Sequence, residues 1–291
     1  MKRAILVLGS SGMLGSTIFR YFSKDPSFYL YGVSRSKFNK IGKTFNKNIT
    51  VKNLNKNSIA LIIRKTKPEF IINCVGKINH KINKNNVKEA IYLNSIFPHI
   101  LADECIRHNV TLVHFSTDCV FNGMKGNYKE TDYSDCYDLY GKTKFIGEPN
   151  NSKTIVIRTS IIGHELNSKF GLLEWFLNEK KSVKGFKNFF FSGFPTIEIA
   201  EILDKFILKK KTIKSGLYHL GSKKISKFNL LKIIKKVYNK KDIFVIPCYK
   251  PKVNKTLNSE YFKKKTNYKC PPWIDLINKM YKFQHEFNVK K

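Results

Sequence analysis

The chain has 291 residues, 42% of them hydrophobic, and carries a formal charge of +33 at neutral pH. That length supports a sizeable core and more than one structural lobe, and no apolar run approaches the roughly 20 residues that a membrane-crossing helix needs. Six cysteines (Cys74, Cys105, Cys119, Cys136, Cys248 and Cys270) form no Cys-x-x-Cys pair and no metal-like spacing, which points to reduced thiols. The charge is the one feature that suggests nucleic-acid binding, but only six basic residues are arginine: Arg3, Arg20, Arg35, Arg64, Arg107 and Arg158. Nucleic-acid readers lean on arginine for bidentate contacts, and no aromatic-basic recognition motif is present. Lysines scattered among asparagines read as the lysine drift of an AT-rich genome on a solvated surface. A polyanionic partner is the alternative, and an anionic substrate would also benefit from the field.

In chain order, the basic prefix Met1-Lys2-Arg3 leads into the apolar run Ala4-Ile5-Leu6-Val7-Leu8. The run is short and enters a glycine turn, so it reads as a first β-strand rather than a signal peptide, and a cytoplasmic setting is expected. Further strands are predicted at 28–33, 70–73, 110–115 and 155–158, with helical patterns at 14–22, 59–65 and 87–108 between them. Strand-helix alternation argues for an α/β fold with a parallel sheet covered by helices on both faces. Beyond Gly163 come helical patterns at 170–180, 196–208, 227–238 and 273–285 and strands at 217–220 and 243–246. No clean linker separates the halves. The expected organisation is a doubly wound Rossmann-type domain of residues 1–163 plus about 195–222. A smaller interleaved lobe takes about 164–194 plus 223–291.

Three segments carry chemistry. Gly9-Ser10-Ser11-Gly12-Met13-Leu14-Gly15 ends a strand and opens a helix; glycines permit a tight turn and close backbone approach to a pyrophosphate held at the helix N-terminus. Ser116-Thr117-Asp118-Cys119 follows a strong strand, where a hydroxyl can hold a substrate carbonyl oxygen. In Tyr140-Gly141-Lys142-Thr143-Lys144 the tyrosine and second lysine share a helix face. A neighbouring ammonium favours phenolate and is expected to lower a phenol pKa of about 10 toward the range useful for proton transfer. The second strand ends in Gly32-Val33-Ser34-Arg35-Ser36 without an acid. An acid would grip the ribose 2′-hydroxyl of NAD, whereas arginine accommodates the 2′-phosphate of NADP. The expected cofactor is therefore NADP(H), with NAD(H) as the alternative. Histidines show no triad or metal-ligand spacing, and Phe189-Phe190-Phe191 reads as core or pocket wall.

Together these segments resemble the extended short-chain dehydrogenase/reductases, and within them the dTDP-4-dehydrorhamnose reductase group. Leu93-Asn94-Ser95, Gly147-Glu148, Ile157-Arg158-Thr159-Ser160 and Phe194-Pro195-Thr196 support the likeness, which runs from residue 1 to about 222 and more weakly beyond. The resemblance implies Thr117, Tyr140 and Lys144 as the catalytic set. Gly9, Ser11, Gly12, Met13, Leu14, Gly15, Ser34, Arg35, Cys74, Val75, Gly76, Asn94 and Ser116, with Tyr140 and Lys144, would line the cofactor. Thr117, Asp118 and Cys119 would face the substrate. The implied reaction is NADPH-dependent reduction of the 4-keto group of a nucleotide-activated 6-deoxy-sugar for polysaccharide synthesis, with the second lobe clamping the nucleotide diphosphate. A nucleotide-diphosphate sugar is the expected partner and a homodimer is open, with no membrane and no nucleic acid. A bound magnesium is compatible with the family, though no carboxylate cluster demands it.

The chain departs from the group at Asn53, in place of an aspartate near the adenine, and at Asn73-Cys74-Val75-Gly76, in place of Asn-Ala-Ala. Cys119 stands where these reductases commonly carry tyrosine and related dehydratases carry glutamate. GDP-fucose-synthase-like epimerase-reductases use a cysteine there with a later histidine; His164 lies too early to align with it. That reading remains second, and a non-catalytic regulatory subunit is third.

Overall fold

A computed structural model describes residues 2–36, 46–78, 82–166 and 169–288. Six strands in the first half are β1 (Arg3–Leu8), β2 (Phe28–Ser34), β3 (Asn46–Thr50), β4 (Phe70–Asn73), β5 (Thr111–Thr117) and β6 (Thr154–Thr159). They join strand Gly216–His219 in one sheet, ordered Gly216–His219, β6, β5, β4, β1, β2, β3, with every pair parallel. Strand order reverses between β1 and β4, which opens a crevice at the carboxyl ends of those strands.

The apolar runs are continuous because the sheet is covered on both faces. Within β1, Ile5 and Val7 pack with Ile18 and Phe19, whereas Leu6 and Leu8 pack with Ile63, Phe97 and Leu101 on the other face. Helix Met13–Phe22 covers the first face, and helices Lys56–Thr66 and Phe97–Arg107 cover the second. Phe19 and Phe97 are fully buried, so truncating either to alanine would cost about 3–5 kcal/mol.

The expected strands and helices of the first half all appear within a few residues of their predicted ends. The predicted helix 87–108 is continuous as far as Arg107 but contains a π-turn over Tyr92–Ile96. An extra residue per turn is a recurrent device at functional sites, and here it carries Asn94 into the interior, fully buried.

The second half adds smaller sheets. Strand Lys181–Phe186 pairs in parallel with Ile243–Cys248. Strand Phe189–Phe191 is flanked by Ile225–Ser226 and Val253–Asn254. Val253–Asn254 is stitched to the loop after β5, with Asn254 N donating to Gly123 O at 2.6 Å and Tyr128 N to Thr256 O at 2.9 Å. One apolar cluster runs from Ile5 and Phe19 through Phe194 and Phe206 to Leu230, Ile234 and Leu276. Among the described residues no helix is long and apolar enough to cross a membrane.

Candidate functional site

The glycine loop lies at the crevice. Gly9 has φ +77°, a conformation that glycine adopts without strain, and its N–H and that of Ser10 both donate to Val33 O. A Cβ on Gly15 would lie 2.1 Å from the Gly9 carbonyl oxygen, so the third glycine is what lets the helix close onto the loop. Helix Met13–Phe22 starts from Gly12 with no side-chain cap and no acid in its first turn. Uncapped N–H groups at a helix start whose first turn carries no acid suit a pyrophosphate. Ser11 and Met13 are half-buried at this start, and Leu14 is buried beneath it.

Around the loop, Ser34 is buried and donates to Ser36 O at 2.6 Å. Arg35 is exposed, its Nη1 3.7 Å from Glu89 Oε1. Asn53 lies on an exposed loop, its carbonyl accepting from Ser58 Oγ. At the end of β4, Asn73 is buried and bonded to His114 Nδ1 at 3.0 Å, and its Oδ1 accepts from the Val75 N–H. Cys74 and Val75 are half-buried and Gly76 is exposed. Asn94 accepts from the Lys77 N–H and uses both of its amide donors, on the Lys77 carbonyl and Thr143 Oγ1.

Thr117, Tyr140 and Lys144 come together beside the crevice. Asp138 caps helix Leu139–Ile146 by accepting from Gly141 N at 2.8 Å. Gly141 is required here, because a Cβ would sit 2.2 Å from Cys119 O. The Thr117 hydroxyl lies beside the Tyr140 side chain, donates to Asp118 Oδ1 at 3.2 Å and accepts from the Cys119 N–H. Tyr140 holds its proton firmly: burial pushes the phenol up, reinforced by Cys119 and only partly opposed by Thr117. Lys144 is not among the leading influences on the phenol, so the lowering expected from it is not seen. The Lys144 ammonium is buried and donates to Phe115 O at 2.7 Å, 3.5 Å from His114 Nε2. Burial lowers Lys144 to about 8, with Glu148 and Cys74 acting in the other direction.

Several supporting groups were not singled out for this role from sequence. His114 is buried and held neutral by that burial, so its ring braces Lys144 without competing as a second cation. Glu148 forms a bidentate pair with Arg158 at 2.8 and 2.7 Å and accepts from Ser116 Oγ. Ser116, expected at the cofactor, thus commits its donor to Glu148. Glu148 and Arg158 were both noted as parts of the resemblance, but their pairing depends on the β5–β6 register, which sets Ser116 against Arg158.

On the substrate side, Asp118 is buried and raised by that burial, offset by Lys255 and hydrogen bonds including one to Thr117. Burial pushes Cys119 up to about 12, followed by the charge of Asp118. Lys227 stands 3.8 Å over the ring of Phe189 and is lowered by burial, with Asp118 and Cys119 pulling it back up. His164 lies between Glu174 Oε1 at 2.6 Å and the Tyr238 hydroxyl at 2.8 Å, and the leading influences on Cys119 include no histidine. No group of three or more potential metal-ligating side chains occurs among the described residues.

A parallel sheet with a glycine loop at its switch point and a tyrosine and lysine set on a capped helix beside it has the architecture of the extended short-chain dehydrogenase/reductases. Residues 1–283 match the model of the RmlD substrate binding domain, and the chain belongs to that family. It is 30% identical over 225 residues to a dTDP-4-dehydrorhamnose reductase of Aggregatibacter actinomycetemcomitans, covering 74% of this chain and 72% of that one. It is 27% identical over 173 residues to methionine adenosyltransferase 2 subunit beta of Bos taurus, covering 57% of this chain and 48% of that protein. A solved dTDP-4-dehydrorhamnose reductase from Clostridium acetobutylicum has the same fold, with a TM-score of 0.77 at 21% identity over 97% of this chain and 99% of that one. The Bacillus anthracis enzyme of that name, solved with NADP, gives 0.77 at 18% identity over 97% and 99%.

Proposed function

We propose that the chain is an NADPH-dependent oxidoreductase that reduces the 4-keto group of a nucleotide-activated 6-deoxy-sugar for polysaccharide synthesis. The observation that carries this is Tyr140, beside Thr117 and one helical turn from a buried lysine at the crevice beside the glycine loop. Similarity to dTDP-4-dehydrorhamnose reductase over three quarters of the chain supports the substrate class.

The dinucleotide would lie over Gly9, Ser11, Gly12, Met13, Leu14 and Gly15, with Ser34 and Arg35 at the ribose phosphate and Cys74, Val75 and Gly76 along its length, while the buried Asn94 and Ser116 brace the wall behind it through Lys77, Thr143 and Glu148. Bound there, it supplies the hydride. Thr117 holds the ketone oxygen, and Tyr140 transfers its proton to that oxygen as the carbonyl becomes an alcohol. The Lys144 ammonium stabilises the phenolate left behind, an arrangement typically worth about 10²–10⁴-fold in rate. Lys227 and Lys255, close enough to Asp118 and Cys119 to act on their charges, would hold the diphosphate and so position the reacting carbon. This divides the chain into a Rossmann-type domain, 1–163 with about 195–222, and a sugar-nucleotide lobe from the rest. A cytoplasmic setting and a homodimer belong to the same proposal.

NADPH oxidation, followed by absorbance against a panel of nucleotide 4-keto-6-deoxy-sugars with NADH in parallel, tests the proposal. Turnover with one sugar is expected, and Tyr140→Phe should still bind NADPH but turn over at least 100-fold more slowly. A variant that keeps turnover would remove Tyr140 from the mechanism. A second reading, a non-catalytic regulatory subunit, is favoured by the likeness to methionine adenosyltransferase 2 subunit beta, about half of whose length is matched. Saturable NADPH binding without turnover on any sugar would select it.

A further inference from the structure

The residue that reads the ribose phosphate in the proposal above is already engaged by an acid. Glu89 uses its two carboxylate oxygens on two different cations: Oε1 faces Arg35 Nη1 at 3.7 Å, and Oε2 accepts from the Lys77 ammonium. Lys77 in turn has both of its backbone groups hydrogen-bonded to the side chain of Asn94, which anchors the chain on that side of Glu89. Arg35, by contrast, has 80% of its side chain exposed and is free to reorient.

We propose that Glu89 is a specificity-determining residue that weakens the preference for NADPH over NADH by acting through Arg35, an inference that rests on the dinucleotide reading. The 2′-phosphate must draw the guanidinium from Glu89 and approach a carboxylate of its own sign; the 2′-hydroxyl of NADH meets neither opposition. Both effects fall on one cofactor only. Glu89 is thus a positioning residue for Arg35 rather than a contact for the nicotinamide end. Its link to Lys77, and through Asn94 to Thr143 on the tyrosine helix, keeps the carboxylate in register with the catalytic side of the crevice.

The test is direct titration of the purified protein with NADPH and with NADH, following cofactor fluorescence, at low and high salt. Glu89→Gln keeps the side-chain length and an acceptor for Lys77 while removing the charge. It is expected to tighten NADPH binding about three- to fivefold, the range an exposed ion pair supports, and to change NADH binding less than about twofold. The gain should shrink at high salt, where exposed charges are screened. In an Arg35→Met background Glu89→Gln should give a markedly smaller gain, because one of its two routes is gone. An unchanged NADPH-to-NADH affinity ratio in Glu89→Gln, or a gain of equal size for both cofactors, would overturn the inference and leave the dinucleotide reading intact. A parent protein that binds neither cofactor would overturn both.

Discussion

The side-chain amide of Asn94 replaces a strand partner for Lys77: it accepts from the Lys77 N–H at 2.8 Å and donates to the Lys77 carbonyl at 3.0 Å. Its remaining donor reaches Thr143 Oγ1 at 3.1 Å, and that hydroxyl in turn donates to Tyr140 O at 3.0 Å. One buried amide therefore joins the loop after β4 to the helix that carries Tyr140 and Lys144. Asn94→Ala would leave these groups without partners, each at about 1–3 kcal/mol. A loss of about 3 kcal/mol in urea denaturation is expected, with at least tenfold weaker NADPH binding by calorimetry. Asn94→Asp should not rescue it, since a carboxylate cannot donate to the Lys77 carbonyl.

Lys144 sets an alkaline limit. Burial lowers it to about 8, so it is charged below that pH and neutral above it. The phenolate left by Tyr140 loses its compensating cation as pH rises through about 8, and kcat/KM should fall over that interval. Arginine stays protonated throughout, so any activity retained by Lys144→Arg should show no such fall. A pH–rate profile from 6 to 10 checks this; an identical alkaline limb in both proteins would remove Lys144 as its source.

Cys119 separates a simple reductase from an epimerase-reductase. Its thiol, pushed up to about 12, stays protonated at neutral pH, and no histidine stands among the groups acting on it. Cys119→Ser is expected to keep activity within about threefold, with one product stereoisomer by NMR. A loss of 100-fold or more, or release of the other stereoisomer, would indicate acid-base work by the thiol.

His219 makes the fold acid-sensitive. It is fully buried, its Nδ1 2.9 Å from Tyr128 O and its Nε2 3.4 Å from Arg158 Nη1, and burial lowers it from 6.5 to about 4. As pH falls below 6.5 the unfolded chain gains a proton that the folded chain refuses, so stability declines until about pH 4. The linkage amounts to about 3 kcal/mol from this one group. His219→Asn, which can still donate to Tyr128 O, should flatten the dependence of urea-denaturation stability on pH across this window. An unchanged slope would assign the acid sensitivity to other groups.

The sheet was legible where burial on two faces makes the strand a plain apolar run, as in Ile5–Leu8 and Phe70–Ile72. β3 was not legible: Asn46-Lys47-Asn48-Ile49-Thr50 is an edge strand, and edges carry the polar and lysine residues that hide a strand pattern. Strand Lys181–Phe186 and helix Glu260–Thr266 escaped because lysines interrupt their apolar pattern, and strand Val253–Asn254 because it is only two residues long. Phe189-Phe190-Phe191 divides its roles. Phe191 is buried as expected, while the rings of Phe189 and Phe190 carry the ammonium groups of Lys227 and Lys224 at 3.8 and 3.9 Å. Within the site, the glycine loop and the Tyr140–Lys144 spacing could be read because each acts within one turn of chain. The braces at His114, Glu148 and Arg158 could not, because they meet only after β5 and β6 are in register.

The seam between residues 122–128 and 253–258 sets an order on biogenesis. The loop after Thr117-Asp118-Cys119 takes its backbone partners from Asn254, Thr256 and Asn258, which are synthesised more than 120 residues later. A nascent chain that has already formed β1 to β6 still lacks the edge that shapes its own catalytic loop. Contacts so distant along the chain close late, so a product truncated before this seam would present a folded sheet with an unfinished centre.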